Sequence, residues 1–382
     1  MQIRLIIYDD SAVFGGHEVM ALLGLEGLLK AGIDIVFFFS QHNTKLSESL
    51  AVFKEKYSNL STVETDFYSK KFQGIRNHFE KSFTKKLASQ FREFSPDGIL
   101  VIQGDIEISS QGVLAGKLLE TPTISYIPFA HGLEDMGAKL GKWRDVLNRY
   151  LLNAPDYFIT ITEEAKNTFI RLGSKVSIDV VYNGIELGRS KLTPEEARSN
   201  FNLPLNKKII ALCGRLESRQ KGQDFLVQAV SQSDFLKSEV LSLLVGDGPD
   251  EALLKDEVVR LGLADSIKFM GWCNTSLLYP AIDVLVIASR FEGMPLVMLE
   301  ALVAGVPVVA TDRDGMKELL PEYWRYPYGD YDGFIKKLEA VIKEKSIKWI
   351  EPLQNQVKKN MSVSAFQDNF VRTVVGKCQQ NL

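Results

Sequence analysis

Cysteines, histidines and long apolar runs are scarce in this sequence of 382 residues. The three cysteines, Cys213, Cys273 and Cys378, have neither metal-ligand nor disulfide-framework spacing, and such sparse use is typical of a reducing compartment. No run of about 18 apolar residues occurs, and the start MQIRLIIYDD lacks the apolar run and small-residue cleavage site of a signal peptide. We therefore expect a cytoplasmic chain without disulfides, structural zinc or a transmembrane helix.

An excess of charge of one sign is also absent, because 45 Lys and Arg stand against 48 Asp and Glu, for a formal net charge of −3. Without an overall positive field, no nucleic-acid partner is expected. The composition, 45% apolar and 24% charged, is typical of a soluble globular protein. The length exceeds what one core normally organises and favours two domains.

Short apolar runs alternate with amphipathic stretches, and this alternation predicts βα units and parallel sheets. The predicted strands are residues 3–8, 34–39, 98–103, 123–128, 157–162 and 179–183 in the first half, and 208–214, 241–247, 266–271, 284–289 and 306–312 in the second, with 324–329 as a further candidate. The polar segment 183–204 is the predicted hinge. We therefore predict an α/β protein with two Rossmann-like, doubly wound parallel-sheet domains, 1–185 and 186–361, facing each other across a deep cleft. A last helix, 362–382, is expected to pack back towards the first domain.

The residues that follow the strands are the candidate site residues, because ligands of open α/β sheets bind beyond the carboxyl ends of the strands. In the second half, Gly214 and Arg215 are followed by Lys221, and two cations in a glycine-bounded loop can bind one diphosphate. After the next two strands, Gly246 permits a close backbone approach, and Trp272 lies in a loop that suits a flat heterocycle. Each feature has an alternative. Arg215 and Lys221 could be solvated loop charges, the loop at Gly246 could be a plain tight turn, and Trp272 could be an ordinary packed side chain.

Two glutamates, Glu292 and Glu300, flank a Gly-Met-Pro break in the apolar segment 290–312. Pro295 suits the first position of a helix, whose unpaired amides and positive dipole end form an anion site. Glu300 has apolar neighbours, so its charge is costly without a partner. Because carboxylates accept hydroxyl groups, the pattern predicts a nucleotide sugar with phosphates on the helix end, ribose on Glu300 and the donor sugar on Glu292. The alternative is a capping glutamate with a buried salt bridge.

Together these motifs resemble glycosyltransferase family 4, the retaining GT-B nucleotide-sugar glycosyltransferases. The resemblance covers nearly the whole chain and is carried by GRLESRQKG at 214–222, VGDGP at 245–249, EGMPLVMLEA at 292–301 and GVPVVAT at 305–311. It implies that domain 1–185 binds the acceptor and domain 186–361 the donor. It further implies that Arg215 and Lys221 bind the donor diphosphate, that Glu300 binds the ribose, and that Glu292 faces the transferred sugar. The backbone of Gly293, Met294, Pro295 and Leu296 is expected to help bind the diphosphate.

Candidate residues of the first domain also follow strands. Gly15 and Gly16 lie between the first strand and a helix, and they resemble the family's N-terminal glycine loop, which approaches the donor phosphate and the acceptor. His131 matches a family histidine that supports the reacting sugar, and it joins Arg215, Lys221 and Glu292 as a candidate catalytic residue. We interpret His17 as structural, which is the more common role of a lone histidine.

Two aspartate pairs, Asp312 with Asp314 and Asp330 with Asp332, imitate the D-x-D motif of metal-dependent transferases. They have no supporting ligands, and Lys, Arg and a helix dipole can neutralise a leaving diphosphate. We therefore predict no cofactor and no metal.

Residues 69–94 carry apolar side chains at every third or fourth position with Lys and Arg between them. The pattern predicts a basic amphipathic helix, or two. It either covers the sheet or makes a peripheral contact with anionic lipid at the inner face of the membrane.

The combined expectation is a metal-independent, retaining hexosyltransferase, with UDP-glucose as the first choice of donor. The acceptor is expected to be a sugar or a lipid-linked glycan in bacterial-type polysaccharide or glycoconjugate synthesis. The resemblance implies a front-face substitution, in which the leaving phosphate takes the proton of the acceptor. Two alternatives stay open: a sugar-nucleotide epimerase of the same fold, and a non-catalytic nucleotide-sugar-binding subunit.

Overall fold

The computed structural model describes residues 3–128, 131–188, 190–344 and 347–379, without the side chains of 347–349. The chain forms two compact units. The first consists of Met1–Gly184 together with Val363–Leu382, and the second is Ile185–Ser362.

The described strands form one parallel sheet in each unit. They are β1 (Arg4–Asp9), β2 (Asp34–Ser40), β3 (Leu60–Thr65), β4 (Gly98–Ile102), β5 (Thr123–Tyr126), β6 (Tyr157–Thr160), β7 (Ser177–Val180), β8 (Lys208–Cys213), β9 (Val240–Val245), β10 (Ile267–Gly271), β11 (Val284–Ile287), β12 (Val308–Thr311) and β13 (Arg325–Tyr326). The first sheet has seven strands in the order β3-β2-β1-β4-β5-β6-β7, and the second has six in the order β10-β9-β8-β11-β12-β13. The prediction of an α/β protein with two parallel, Rossmann-like sheets is confirmed.

Helices lie between the strands. They are α1 (Gly16–Lys30), α2 (Thr44–Lys56), α3 (Gln73–Arg76), α4 (Lys81–Glu93), α5 (Ser110–Leu119), α6 (Gly141–Leu147), α7 (Glu163–Leu172), α8 (Pro194–Asn200), α9 (Ser218–Lys221), α10 (Gln223–Gln232), α11 (Asp234–Glu239), α12 (Glu251–Arg260), α13 (Thr275–Leu278), α14 (Leu296–Ala304), α15 (Asp314–Leu319), α16 (Tyr331–Glu344), α17 (Ile347–Asn360) and α18 (Val363–Gln379). Short 3-10 turns are formed by Asn148–Asn153, Tyr279–Ala281 and Glu322–Trp324.

The core of the first unit forms because its central strands are continuous apolar runs covered on both faces. Ile6, Phe38 and Val101 of the sheet pack with Leu87 and Phe91 of α4 in one buried cluster. Sequence inspection missed β3, because its residues LSTVET are mostly polar and only partly buried at the edge of the sheet.

The C-terminal helix α18 belongs to the first unit and packs on α1. A Cβ atom added to Gly24 would lie 2.6 Å from Cε1 of Phe370. The ring of Phe370 therefore fills the space that a side chain at position 24 would need. Gln367 Nε2 donates to the backbone oxygen of Leu23 at 3.1 Å. The chain therefore returns to its first unit to complete it.

Among the residues described, no helix combines the length and the apolar character needed to cross a bilayer.

Candidate active site

The loop after β8 positions the two predicted diphosphate ligands. Arg215 is exposed, and its Nε lies 3.7 Å from Glu217 Oε2. Lys221 ends the single turn of α9 and is followed by Gly222 in the left-handed region, with φ of 70°. A Cβ atom on Gly222 would lie 2.0 Å from the backbone oxygen of Ala288, so only glycine permits this approach of the loop to β11.

Lys221 and Glu292 are in direct contact, although 71 residues separate them. Lys221 Nζ donates to Glu292 Oε1, and Ser289 Oγ donates to the same oxygen at 3.0 Å. The backbone N–H of Glu292 donates to Asp314 Oδ2 at 2.8 Å. Glu292 is 8% exposed, so its carboxylate is held rigidly at the point where β11 leads into α14.

The helix after Glu292 begins one residue later than predicted. Pro295 is the N-cap, with φ −60° and ψ 122°, and α14 starts at Leu296. Because proline has no N–H, the donors at this end are the first amides of α14, which have no intrahelical acceptor. Gly293 contributes in another way, since its backbone oxygen accepts from Gly315 N at 2.9 Å. Met294 is buried beneath this turn at 3% exposure.

Glu300 is held by two hydroxyl groups that sequence inspection missed. Tyr279 Oη donates to Glu300 Oε2 at 2.7 Å, and Thr275 Oγ1 donates to the same atom at 3.3 Å. Burial, followed by the charge of Glu300, raises the pKa of Tyr279, so its hydroxyl stays protonated as a donor. In the described part of the chain no hydrogen bond engages Glu300 Oε1, which leaves this oxygen for a ligand hydroxyl. Thr275 and Tyr279 are four residues apart in a helical turn. This spacing predicts that both side chains lie on the same face of the turn.

The carboxyl ends of β8, β9 and β10 meet at Gly214, Gly246 and Gly271. Gly246 N donates to the backbone oxygen of Gly271 at 2.8 Å, and a Cβ atom on Gly246 would lie 2.2 Å from Gly214 O. Trp272, directly after β10, is 80% exposed. The packed-tryptophan alternative is therefore wrong, and the indole is open to a flat ligand.

In the first unit, the glycine loop is fixed by a buried acid. Gly15 is the N-cap of α1, which starts at Gly16, and Gly15 N donates to Glu18 Oε2 at 2.6 Å. The other oxygen of Glu18 lies 2.9 Å from His17 Nε2. Asp9 completes the cluster, and one ligand atom from each of the three side chains lies within 4.8 Å of the others. Among the described residues this is the one such group with spacing that could hold a metal ion.

The protonation of this cluster follows from its burial. Asp9 and Glu18 are fully buried, and burial raises the pKa of Asp9 to about 7. Burial acts to lower the pKa of His17, but the bond to Glu18 and the nearby charges of Asp9 and Asp105 outweigh it, so the pKa is raised. The structural interpretation of His17 fits these contacts, whereas the carboxylates were missed because their roles depend on tertiary neighbours.

His131 is half-buried and begins the described part of the loop that leads to α6. The preceding residues, 129–130, lie outside the described part. Three aspartates of the two D-x-D pairs have partners within the protein: Asp312 pairs with Arg325, Asp314 accepts from Glu292 N, and Asp330 Oδ1 accepts from Gly333 N at 2.8 Å.

Residues 69–94 form two helices, α3 and α4, and not one. Leu87 and Phe91 of α4 are completely buried against the sheet, while the lysines of α4 are exposed. The apolar stripe of α4 therefore covers the sheet, and Phe79, between the two helices, remains 84% exposed.

Two family models match most of this chain. The family model described as Glycosyltransferase Family 4 matches residues 14–189, and the model described as Glycosyl transferases group 1 matches residues 207–344. The chain is similar to the lipopolysaccharide core biosynthesis mannosyltransferase LpsB of Rhizobium meliloti, with 35% identity over 149 residues, which cover 37% of this chain and 42% of LpsB. An uncharacterized glycosyltransferase of Haemophilus influenzae is 26% identical over 311 residues, which cover 80% of each chain. The chain spans about half the length of most of the curated relatives it matches.

Among solved structures, HepE of Anabaena, in complex with UDP and glucose, matches with a TM-score of 0.78 at 18% sequence identity. The match covers 98% of this chain and 100% of HepE. At that identity the match shows the fold, which is GT-B as predicted.

Proposed function

This chain belongs to the GT4-type GT-B glycosyltransferases, and we propose that it is a retaining, metal-independent hexosyltransferase. In this proposal a hexose passes from a nucleotide diphosphate sugar, with UDP-glucose the first choice, to a hydroxyl of a glycan or lipid-linked glycan.

One observation carries the proposal: Lys221 and Glu292, far apart in sequence, meet at the start of α14. Lysine and the unpaired amides of the helix supply the positive charge that a diphosphate needs. The carboxylate beside them supplies an acceptor for a sugar hydroxyl. Glu300, with one oxygen fixed by Tyr279 and the other without a described partner, suits a ribose hydroxyl.

The chemistry follows from where charge develops. Breaking the bond between the anomeric carbon and the phosphate oxygen leaves negative charge on the diphosphate. The ammonium of Lys221 has three N–H donors and uses one on Glu292. With the exposed guanidinium of Arg215, it stabilises this charge more in the transition state than in the ground state. In a front-face substitution the leaving phosphate oxygen then takes the proton of the acceptor hydroxyl.

Names of similar proteins support the choice of substrates. HepE binds UDP and glucose, and LpsB builds the core of lipopolysaccharide. A UDP-hexose donor and a lipid-linked glycan acceptor are therefore the first pair to test.

The test combines donor binding with turnover. A thermal-shift screen of UDP-, GDP- and ADP-sugars identifies the donor, because a ligand that binds the folded state raises its melting temperature. Transfer is then measured with Arg215→Ala and Lys221→Ala, each of which we expect to lower kcat about a hundredfold or more. Lys336→Ala, an exposed lysine of α16, is the matched control and should keep wild-type turnover.

Three results would contradict the proposal. Near-normal turnover in both variants would remove the assigned roles of Arg215 and Lys221. Donor binding without hydrolysis or transfer on any acceptor would identify a non-catalytic subunit. Epimerised donor in the absence of acceptor would identify an epimerase.

A further inference from the structure

A pocket of about 460 Å³ opens at the edge of the first sheet. We define the edge pocket as the hollow between the segment 64–70, at the carboxyl end of β3, and one face of α4. The residues of α4 that line it are Phe83, Lys86 and Gln90, whose i, i+3, i+7 spacing places them on one helix face. Leu87, on another face of α4, is completely buried. Helix α4 therefore covers the sheet with one face and lines the edge pocket with a second.

Aromatic rings form part of the wall of the edge pocket. Phe67 stacks on Phe83, with ring centroids 4.0 Å apart and an interplanar angle of 19°. The ring of Tyr68 contacts the ring of His42, with centroids 4.7 Å apart, and Lys70 Nζ lies 5.2 Å from its centre. Phe67, Phe83 and Tyr68 are only partly buried. Such rings offer a flat apolar surface on which the apolar face of a sugar ring can pack.

Several polar groups of the edge pocket have no partner within the protein. Among the residues that the structure describes, no hydrogen bond or ion pair engages the amide of Gln90, the hydroxyl of Tyr68 or the ammonium of Lys86. Together these groups offer both donors and acceptors at one point of the surface. A ligand with several hydroxyl groups fits such a mixed set.

The charges of the edge pocket balance. Lys70 and Lys86 stand against Glu64 and Asp66, and all four side chains are exposed. An anionic ligand gains little here, because the acids repel it as the lysines attract it. A neutral sugar suits the mixture, since its hydroxyl groups donate to carboxylates and accept from ammonium groups. The volume of the pocket also lies within the range of about 300–1,000 Å³ that is usual for small-molecule sites.

The segment 64–70 connects the edge pocket to the start of the glycine loop. Ser69 N donates to the backbone oxygen of Asp10, which directly follows β1, at 3.2 Å. Ser69 Oγ accepts from Ser109 N at 3.1 Å, so this end of the segment is held on both sides. Because the sheet order is β3-β2-β1, the pocket lies two strand spacings, about 10 Å, from β1. That distance is longer than one sugar ring.

We propose that the edge pocket binds a neutral hexose residue of the acceptor glycan, further along the glycan than the residue that is glycosylated. The bound ring packs on the aromatic wall, and its hydroxyl groups contact Lys86, Gln90 and the hydroxyl of Tyr68. The acceptor is then an oligosaccharide and not a single sugar. The word acceptor rests on the proposed function, whereas binding of a free oligosaccharide to the pocket does not.

Binding is tested first, without any donor. Saturation-transfer NMR is recorded on the full chain with the methyl glycosides of glucose, galactose and mannose and with neutral di- and trisaccharides of the same hexoses. We expect an oligosaccharide to bind more tightly than the methyl glycosides, with a Kd that is insensitive to salt and to inorganic phosphate. Lys86→Ala with Gln90→Ala should raise this Kd about tenfold, and Tyr68→Ala should raise it by a similar factor.

The matched control is Lys85→Ala with Ser89→Ala. Both residues are exposed on α4, next to Lys86 and Gln90, but they do not line the edge pocket. This variant should bind the oligosaccharide as the wild type does. A circular dichroism melt of every variant shows whether it is folded.

Turnover then tests the role of the edge pocket in selecting the acceptor. With the donor found by thermal shift, the wild type should have a lower KM for the oligosaccharide than for the methyl glycoside, at similar kcat. Lys86→Ala with Gln90→Ala should lose this advantage in KM and keep kcat, because a remote subsite binds the ground state and the transition state equally. A merely structural defect would lower kcat for both acceptors.

Four outcomes would overturn the proposal: no binding of any neutral oligosaccharide to the folded wild type, displacement of the sugar by inorganic phosphate, equal loss of binding in the control variant, or an unchanged preference for the longer acceptor in the folded pocket variants. Oligosaccharide binding that the pocket variants weaken, without transfer to any acceptor, would support the edge pocket as a sugar site and contradict the proposed function.

Discussion

The contact between Lys221 and Glu292 shows how single residues specify this site. Both were predictable, because a lysine in a glycine-bounded loop and a glutamate before a helix follow strands of the same sheet. Their mutual bond was not predictable from spacing, since each was expected to face the ligand alone. Sequence inspection missed Tyr279 and Asp9 for a related reason. Tyr279 contacts Glu300, and Asp9 lies beside His17 and Glu18, and neither contact can be seen from the spacing of the residues in the sequence.

At the same scale, Tyr279→Phe should weaken donor binding. The variant keeps the ring but removes the 2.7 Å bond to Glu300, leaving the weaker bond from Thr275 to orient the carboxylate. A hydrogen bond to a charged group contributes about 1.5–3 kcal/mol, so we expect the Kd of UDP-glucose, measured by calorimetry, to rise about tenfold or more.

The control is Tyr57→Phe, which removes a comparable 2.9 Å bond to Glu26 in the first unit and should leave the Kd unchanged. The ribose assignment adds a second readout, because Tyr279→Phe should discriminate less between UDP-glucose and its 2′-deoxy form. Unchanged discrimination would contradict a role of Glu300 at the ribose.

Stability should fall with rising pH because of the Asp9 cluster. The pKa of Asp9 is about 7 in the folded chain and ordinarily 3.8, so folding becomes less favourable as Asp9 ionises over this interval. The pKa of His17 is also raised, so its stabilising contribution is complete below its ordinary value of 6.5 and is lost as pH rises through the higher folded value. The neighbouring acids add to these shifts. The charges of Glu18 and Asp10 raise the pKa of Asp9, and those of Glu18 and Asp105 raise the pKa of His17.

Asp9→Asn tests this dependence. Asparagine keeps an oxygen for the N–H of Ser11, which Asp9 Oδ1 accepts at 2.9 Å, but it cannot ionise. The melting temperature of the variant relative to wild type should therefore rise by a few degrees between pH 5 and pH 8.5. Asp256→Asn, at an exposed position of α12, should show a constant difference from wild type. A constant difference for Asp9→Asn as well would refute the buried, shifted carboxyl.

At the scale of elements, the apolar runs made the strands predictable, while polar or short elements were not. Sequence inspection missed β3 because a half-buried edge strand does not need a continuous apolar run. It also missed α6, whose apolar side chains point outward, so that the helix carries no signal of a buried face. The start of α14 was placed one residue early, since Pro295 is compatible with both the N-cap and the first helical position.

The turn that ends α9 offers an element-scale prediction. Gly222→Ala should destabilise the second unit and weaken donor binding, because the added Cβ would meet Ala288 O at 2.0 Å and shift the turn that holds Lys221. Gly262→Ala is the matched control, with φ of 68° but open space around the Cβ position. It should cost only the backbone strain of about 1 kcal/mol. Thermal melts and the Kd of UDP-glucose measure both effects; equal losses in the two variants would show that the close approach to Ala288 is unimportant.

At the scale of the whole molecule, the first unit is discontinuous in sequence, because α18 completes it after the chain has formed the second unit. Phe370 is fully buried, and its ring packs edge-on against Tyr126 at 5.4 Å. It also occupies the space that Gly24 leaves on α1. Helix α18 therefore contributes to the stability of the sheet that precedes the glycine loop.

Phe370→Ala should consequently destabilise the first unit by about 3–5 kcal/mol, the usual cost of removing a buried phenylalanine ring. In calorimetric scans with UDP-glucose, we expect the transition of the first unit to move to lower temperature. The transition of the second unit, which carries most of the proposed donor residues, should be raised by the ligand to the same extent as in the wild type. Phe79→Ala, at an 84% exposed position, controls for the loss of a ring and should change neither transition. An unshifted first transition in Phe370→Ala would mean that α18 adds little to the first unit, and an equal shift of both transitions would mean that the units do not unfold separately.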